Sequence, residues 1–214
     1  MQQIAQAFQE GGVFMYVILL VSVVGVGLII ERFIFLFFKY NINASAFMAQ
    51  IQKLVMANNI DRAIKLCNAA PSAALPKVIK AGLTRANKGE LEISNSIEEA
   101  TLEVIPQIQK RTPQLQAIAN IATLMGLLGT IWGLIQAFSA LDQAAPEQRA
   151  NYLARGISIA MNTTAFGLIV AIPCMVAHIF LASVTKKIID EIDQYSVKLE
   201  NLLVSRQRQQ AQTR

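Results

Sequence analysis

Three stretches of the sequence, residues 11–30, 117–141 and 156–185, contain no Asp, Glu, Lys or Arg. A helix that crosses a bilayer needs roughly 20 mainly apolar residues, and each stretch reaches that length. Composition agrees with this reading. The 214 residues are 54% hydrophobic and 15% charged, with mean hydropathy +0.42, whereas an average soluble domain is about 25% charged. A soluble enzyme is excluded. The predicted fold class is all-α: an integral membrane protein with three transmembrane helices and a cytoplasmic helical bundle.

The net charge of +5 raises the question of nucleic acid, and its placement answers it. Ten of the Lys and Arg residues lie from Lys39 to Arg111 and six from Lys186 to Arg214, with only Arg149 and Arg155 between the second and third stretches. Short cytoplasmic loops carry the Lys/Arg excess, so the basic residues orient the chain and predict no nucleic-acid partner. The expected order is an outer N-terminal segment (1–12), span one (13–38) and a cytoplasmic helical domain (39–115). Span two (116–141), an outer loop (142–155), span three (156–185) and a cytoplasmic C-terminal helix and tail (186–214) follow. The first 38 residues lack a basic leading region and a small-residue cleavage site, so they are expected to stay as a span rather than leave as a signal.

Between spans one and two the pattern is helical. Phe47, Ile51, Leu54 and Val55 repeat at helical spacing, as do Ile60, Ile64 and Leu66. Asn58-Asn59 should break the first helix, Pro71 and Pro76 punctuate a loop, and Lys88-Gly89 marks a turn. Ser96 and Glu99 have capping-box spacing, and Pro106 and Pro113 predict kinks rather than a stop on the way into span two. Span three, at 1.5 Å per residue, is about 45 Å of helix for a hydrocarbon core of about 30 Å. Because Ile188, Ile192, Tyr195 and Leu199 continue its period, it should project into the inner bundle. The polar end from Gln207 should fray. Cys67 and Cys174 fall in different compartments and read as small apolar fillers, not as a disulfide or a metal site.

Within the spans the small residues are ordered. Gly126, Gly129/Thr130, Gly133, Ala137 and Ala140 fall on one face of span two. Gly156, Ala160, Thr163/Thr164, Gly167, Ala171 and Cys174 fall on one face of span three. Small residues let membrane helices approach closely, so these faces are either packing seams or walls of a pore, and they are expected to meet a pore and neighbouring subunits. Ser158, Asn162, Thr163 and Thr164 cluster in span three, with Thr130 at similar depth in span two. Such hydroxyls either bond back to their own helix or line a narrow wet path whose oxygens suit a small hard cation. His178 reads either as a proton relay or as a satisfied histidine near the end of a span, and its role is left open.

The segments Gly126-Leu-Leu-Gly-Thr-Ile-Trp-Gly133 and Thr164-Ala-Phe-Gly-Leu-Ile-Val-Ala-Ile-Pro173 resemble the two signature stretches of the MotA/TolQ/ExbB family. The order of spans and the Glu31-Arg32 pair in span one are similar as well, and three spans resemble the ExbB/TolQ branch. The resemblance implies a homopentamer in a bacterial inner membrane, N-terminus periplasmic and C-terminus cytoplasmic, around the single spans of two ExbD/TolR-like subunits. It implies flow of Na⁺ or H⁺ that drives a TonB-like periplasmic protein for transport across the outer membrane. A Tol-type envelope-maintenance motor or a gliding motor is the nearest alternative, and a non-conducting scaffold is the alternative from another class. The pattern departs at Ile159, where ExbB and TolQ carry glutamate, and at His178-Ile179, where many members carry Tyr-Asn. Loss of the glutamate, with Thr163-Thr164 opposed by Thr130, is more similar to sodium-driven stators. Na⁺ is therefore favoured, held by Thr130 and Thr164 with an aspartate of the partner and supported by Thr163. No resident cofactor is expected, only the transported ion.

Overall fold

The computed structural model describes residues 12–40, 42–142 and 145–212. All regular elements among them are helical. The chain runs α1 (Gly12–Ile34), a wider π-helical turn (Phe35–Tyr40), α2 (Ala44–Met56), α3 (Ile60–Asn68) and α4 (Ala74–Thr84). It continues through α5 (Glu90–Gln109), α6 (Thr112–Leu141) and α7 (Pro146–Gln212). Segments within Gly12–Phe38, Glu90–Leu141 and Pro146–Gln209 are long and apolar enough to cross a membrane. The outer segment expected over 1–12 lies almost wholly outside the described residues, as do Gln143 and Ala144 of the expected outer loop. The helix after that loop already starts at Pro146.

Contacts divide the chain into two compact units: Met1–Glu31 with Arg111–Phe180, and Arg32–Lys110 with Leu181–Arg214. In the first, α1, α6 and the first half of α7 turn small residues inward and large ones outward. Ala119, Ala122, Gly126 and Ala171 are buried, while Leu124, Trp132, Phe138 and Ile169 are exposed. Water would not tolerate that inversion, whereas lipid is as apolar as leucine and leaves close backbone packing to hold the helices together.

The second unit is built as proteins in water are. Amphipathic helices α2–α5 and the rest of α7 bury Met48, Ile51, Val78, Ile93, Ile192 and Leu199 and turn their charges outward. Asn43 caps α2 by accepting from the Ala46 amide at 3.1 Å. Asn58 closes α2 in the left-handed region (φ 60°), which asparagine tolerates. Helix α7 runs unbroken for 67 residues, about 100 Å at 1.5 Å per residue, and its part from Leu181 on belongs to the second unit.

Three local expectations give way. Ser96 caps nothing: α5 begins at Glu90 behind Gly89, because Glu90 and Glu92 suit a helix N-terminus. Ser96 lies inside α5 and donates instead to the Ala81 carbonyl at 3.1 Å. Pro106 is carried within α5, but before Pro113 the helix stops at Gln109 and restarts at Thr112, with Arg111 at φ 67° between. In a continuous helix the Pro113 ring would clash with the carbonyl four residues back, which is that of Gln109. The tail does not fray at Gln207 either. Its amide donates to the Ala86 carbonyl at 2.9 Å, and Arg208 pairs with Glu90 at 3.3 Å.

Candidate functional site

The seams on α6 and α7 face each other within one chain. A Cβ added at Gly129 would stand 2.7 Å from Thr163 Cβ, and one at Gly167 would stand 2.7 Å from the Ala122 carbonyl oxygen. A Cβ at Gly133 would meet the Ala160 amide nitrogen at 3.2 Å, and one at Gly126 the Thr163 carbonyl oxygen at 3.2 Å. Ala160 and Ala171 are buried, 4% and 2% exposed. Within one chain, then, these faces meet each other. The glycines are used up in an intramolecular contact, because only a backbone without side chains lets the two helices come this close.

The hydroxyls separate into two kinds. Thr163 is 1% exposed and lies in the seam against Gly129. It donates to the Ala160 carbonyl at 2.9 Å, so it packs and cannot reach an ion without opening the seam. Thr130 and Thr164 are half-buried at the seam's edge. Thr130 donates to the Leu127 carbonyl, and Thr164 donates across the seam to the Gly126 carbonyl at 3.2 Å. Gly126 and Thr130 are one turn apart, so both hydroxyls belong to the same edge. With each hydroxyl proton committed to a carbonyl, the oxygen lone pairs remain free to accept. Asn162 and Ser158 lie elsewhere around α7.

The other edge is covered by α1. Ile18 is buried with Ala119, Ala122, Val170 and Cys174, and Ile118, Met125 and Phe166 pack on that cluster. At 3.6 residues per turn, Thr130 is roughly 140° around α6 from Met125, and Thr164 roughly 160° around α7 from Phe166. Helix α1 therefore leaves the threonine edge open. The same edge of α6 carries polar groups that the sequence reading passed over. Gln116 donates to Asn120 at 3.3 Å, and Thr123 donates to the Ala119 carbonyl at 3.0 Å. The signal was legible: 116, 120, 123 and 130 recur at helical spacing with only Leu127 between.

At the Arg111 end of this unit two charges pair. Arg111, in its left-handed break, pairs with Glu31 at the end of α1. The next residue, Arg32, belongs to the other unit, is 3% exposed, and donates to the Ile108 carbonyl near the end of α5. His178 shelters a ring nitrogen, Nδ1, that has no hydrogen-bond partner among the described residues. Among those residues no His, Cys, Asp and Glu gather as a metal site, and Cys67 and Cys174 are free thiols.

Comparison with known proteins bears on the same segments. The MotA/TolQ/ExbB proton channel family matches residues 70–194. The Tol-Pal system protein TolQ of Haemophilus influenzae is 38% identical over 74 residues, which cover 35% of this chain and 32% of TolQ. A putative biopolymer transport protein, ExbB-like 3 of Synechocystis, is 29% identical over 174 residues, 79% of this chain and 81% of that one. A chain from the structure of C. jejuni MotAB aligns over 83% of this chain and 74% of its own length, at TM-score 0.45 and 17% identity, too distant to bear on function. The family match spans more than half of the chain, including spans two and three and their threonines. This three-span membrane protein belongs to the MotA/TolQ/ExbB proton channel family.

Proposed function

We propose that the chain is the ring-forming, ion-conducting subunit of an inner-membrane motor of the ExbB/TolQ type. In this reading five copies surround the single spans of two ExbD/TolR-like partners, with the N-terminus outside and the C-terminus inside. The supporting observation is the open edge carrying Thr130 and Thr164, in spans that hold no charged side chain. A partner helix laid against that edge would bring an aspartate to two hydroxyl oxygens. The Glu31–Arg111 pair lies at the end of α1 and not on that edge.

Na⁺ is favoured over H⁺ as the conducted ion. A sodium ion must replace several lost water oxygens, and a single carboxylate cannot supply them, whereas a proton needs only the carboxylate and water. Thr130, Thr164 and the partner aspartate would supply ligands, and Thr163 would hold α6 and α7 in register. No resident cofactor is involved. One charge moving down 100 mV releases about 2.3 kcal/mol, which a rotating or rocking ring would pass to a TonB-like periplasmic protein for transport across the outer membrane. Tol-type envelope maintenance and gliding remain alternative loads for the same motor.

The scaffold alternative makes the opposite demand on the threonines. Copurification with the coexpressed single-span partner tests both at once. The proposal expects a ring with partner bound in the wild type and in Thr130→Val/Thr164→Val, with work lost only in the latter. A double variant that still works identifies a scaffold.

A further inference from the structure

We propose that the groove between the start of α2 and the inner part of α7 binds a zwitterionic phospholipid headgroup, a phosphodiester carrying a primary ammonium. The groove encloses about 550 Å³ and is lined by residues 42–45, Lys187, Glu191 and Tyr195. It lies wholly within the second unit. Its level relative to the bilayer follows from the chain: Ile42 comes four residues after Phe38, where the first apolar segment ends. Lys187 comes two residues after Thr185, where the charge-free stretch ends. Both walls of the groove therefore begin where hydrocarbon gives way to headgroups, which makes a lipid the occupant rather than a soluble phosphate.

The lining is bipolar. Lys187 and Glu191 face the same space one helical turn apart, with Nζ to Oε1 at 3.9 Å, too long for a hydrogen bond. With Lys187 exposed, Glu191 half-buried and the two 3.9 Å apart, the pair contributes little by itself, so a ligand that satisfies both charges gives up little protein–protein energy. The four residues from Lys187 to Glu191, about 6 Å of rise, are comparable with the two-carbon reach between phosphate and ammonium in an ethanolamine headgroup. Lys187 would take the phosphate, and Glu191 the ammonium by a charge-assisted bond. Asn43 contributes on the facing wall. Its side-chain oxygen accepts from Ser45 and the Ala46 amide, so what this lining residue has left to offer a ligand is its amide nitrogen, a donor. Phe38, 80% exposed, offers apolar surface to an acyl chain on the membrane side. An adjoining groove shares Lys187 and Glu191 and adds Lys186 and Asp190, so this side of α7 sets two cations one turn from two anions, and a zwitterion answers both where an anionic lipid would leave the carboxylates unmatched.

The test is the lipid retained by the full-length protein, purified from a membrane containing both phosphatidylethanolamine and phosphatidylglycerol and counted by native mass spectrometry. The wild type is expected to retain phosphatidylethanolamine preferentially. Glu191→Gln should reduce that retention at least threefold and leave phosphatidylglycerol unchanged, and Lys187→Gln should reduce both. Helical circular dichroism checks that both substitutions leave the fold intact. Equal phosphatidylethanolamine retention in all three proteins overturns the proposal, as does a preference for phosphatidylglycerol that persists in Lys187→Gln. Loss of bound lipid on adding soluble phosphoethanolamine, with no dependence on acyl chains, would reassign the groove to a soluble ligand and overturn the lipid. None of these readouts depends on ion conduction, so the outcome stands apart from that of the channel reading.

Discussion

Thr130, Thr163 and Thr164 carry the same functional group in three different situations, and substitutions should separate them. Thr163 fills the gap over Gly129 with its hydroxyl bonded to its own helix. Thr163→Ser keeps that bond and removes one methyl, at about 1 kcal/mol or less, so conduction should survive it. Thr164→Val breaks the bond to the Gly126 carbonyl, which inside a membrane costs about 0.6 kcal/mol on average, and should stop conduction while leaving the fold. Side-by-side flux assays on the two variants check this, and the reverse ranking would place the ion in the seam. Cys67 makes a separate prediction. Burial pushes its thiol up to about 11 from 9.0, with Lys80 pulling the other way. Because the folded value is the raised one, the stability from keeping the thiol neutral is complete below pH 9 and is lost as pH rises toward 11. Unfolding curves over that range should show the decline in the wild type and a smaller one in Cys67→Ala.

Among elements, the α6–α7 seam and the break at Arg111 are the two that a single residue can upset. Gly129→Leu drives a branched side chain into Thr163, and Gly167→Leu drives one into the Ala122 carbonyl. Either should destabilise the helix pair by about 3 kcal/mol, the upper end of what overpacking typically costs, and the protein should be lost from membranes on expression. Normal accumulation of either would refute the seam. At the break, Arg111 adopts a left-handed backbone that costs a non-glycine residue about 1–2 kcal/mol. Arg111→Gly and Arg111→Ala both lose the pair with Glu31, so the glycine variant should have the higher thermal midpoint. These elements also mark how far the sequence could be read. The seam was legible because small residues at three- and four-residue spacing have one physical use in a membrane. Its partner was not, since periodicity says which face is small and nothing about whether the facing helix belongs to the same chain. The stop before Pro113 was missed for a related reason. Proline is compatible with a helix interior or with an end, and Pro106 and Pro113 take one each.

For the whole molecule, the inverted unit of small interiors and large exteriors joins a conventional amphipathic bundle through continuous helix α7. That division was legible in the placement of charge, because the charge-free stretches and the basic segments alternate along the chain. Orientation is checked by cysteine labelling in a variant without Cys67 and Cys174. A cysteine at Gln148, exposed in the first turns of α7, should react with an impermeant reagent added outside. One at Asn87, exposed between α4 and α5, should not. The opposite pattern would invert the topology and move the proposed headgroup groove to the other leaflet.

The measurement that bears most directly on the channel reading is ion flux through the ring with its single-span partner, reconstituted in liposomes at fixed pH and membrane potential while external Na⁺ is varied. The account predicts flux that rises and saturates with Na⁺. Thr130→Ala should raise the half-saturating concentration without dissolving the ring, and Thr130→Val/Thr164→Val should abolish flux. Flux that is undiminished when Na⁺ is removed and unchanged in the double variant would contradict it.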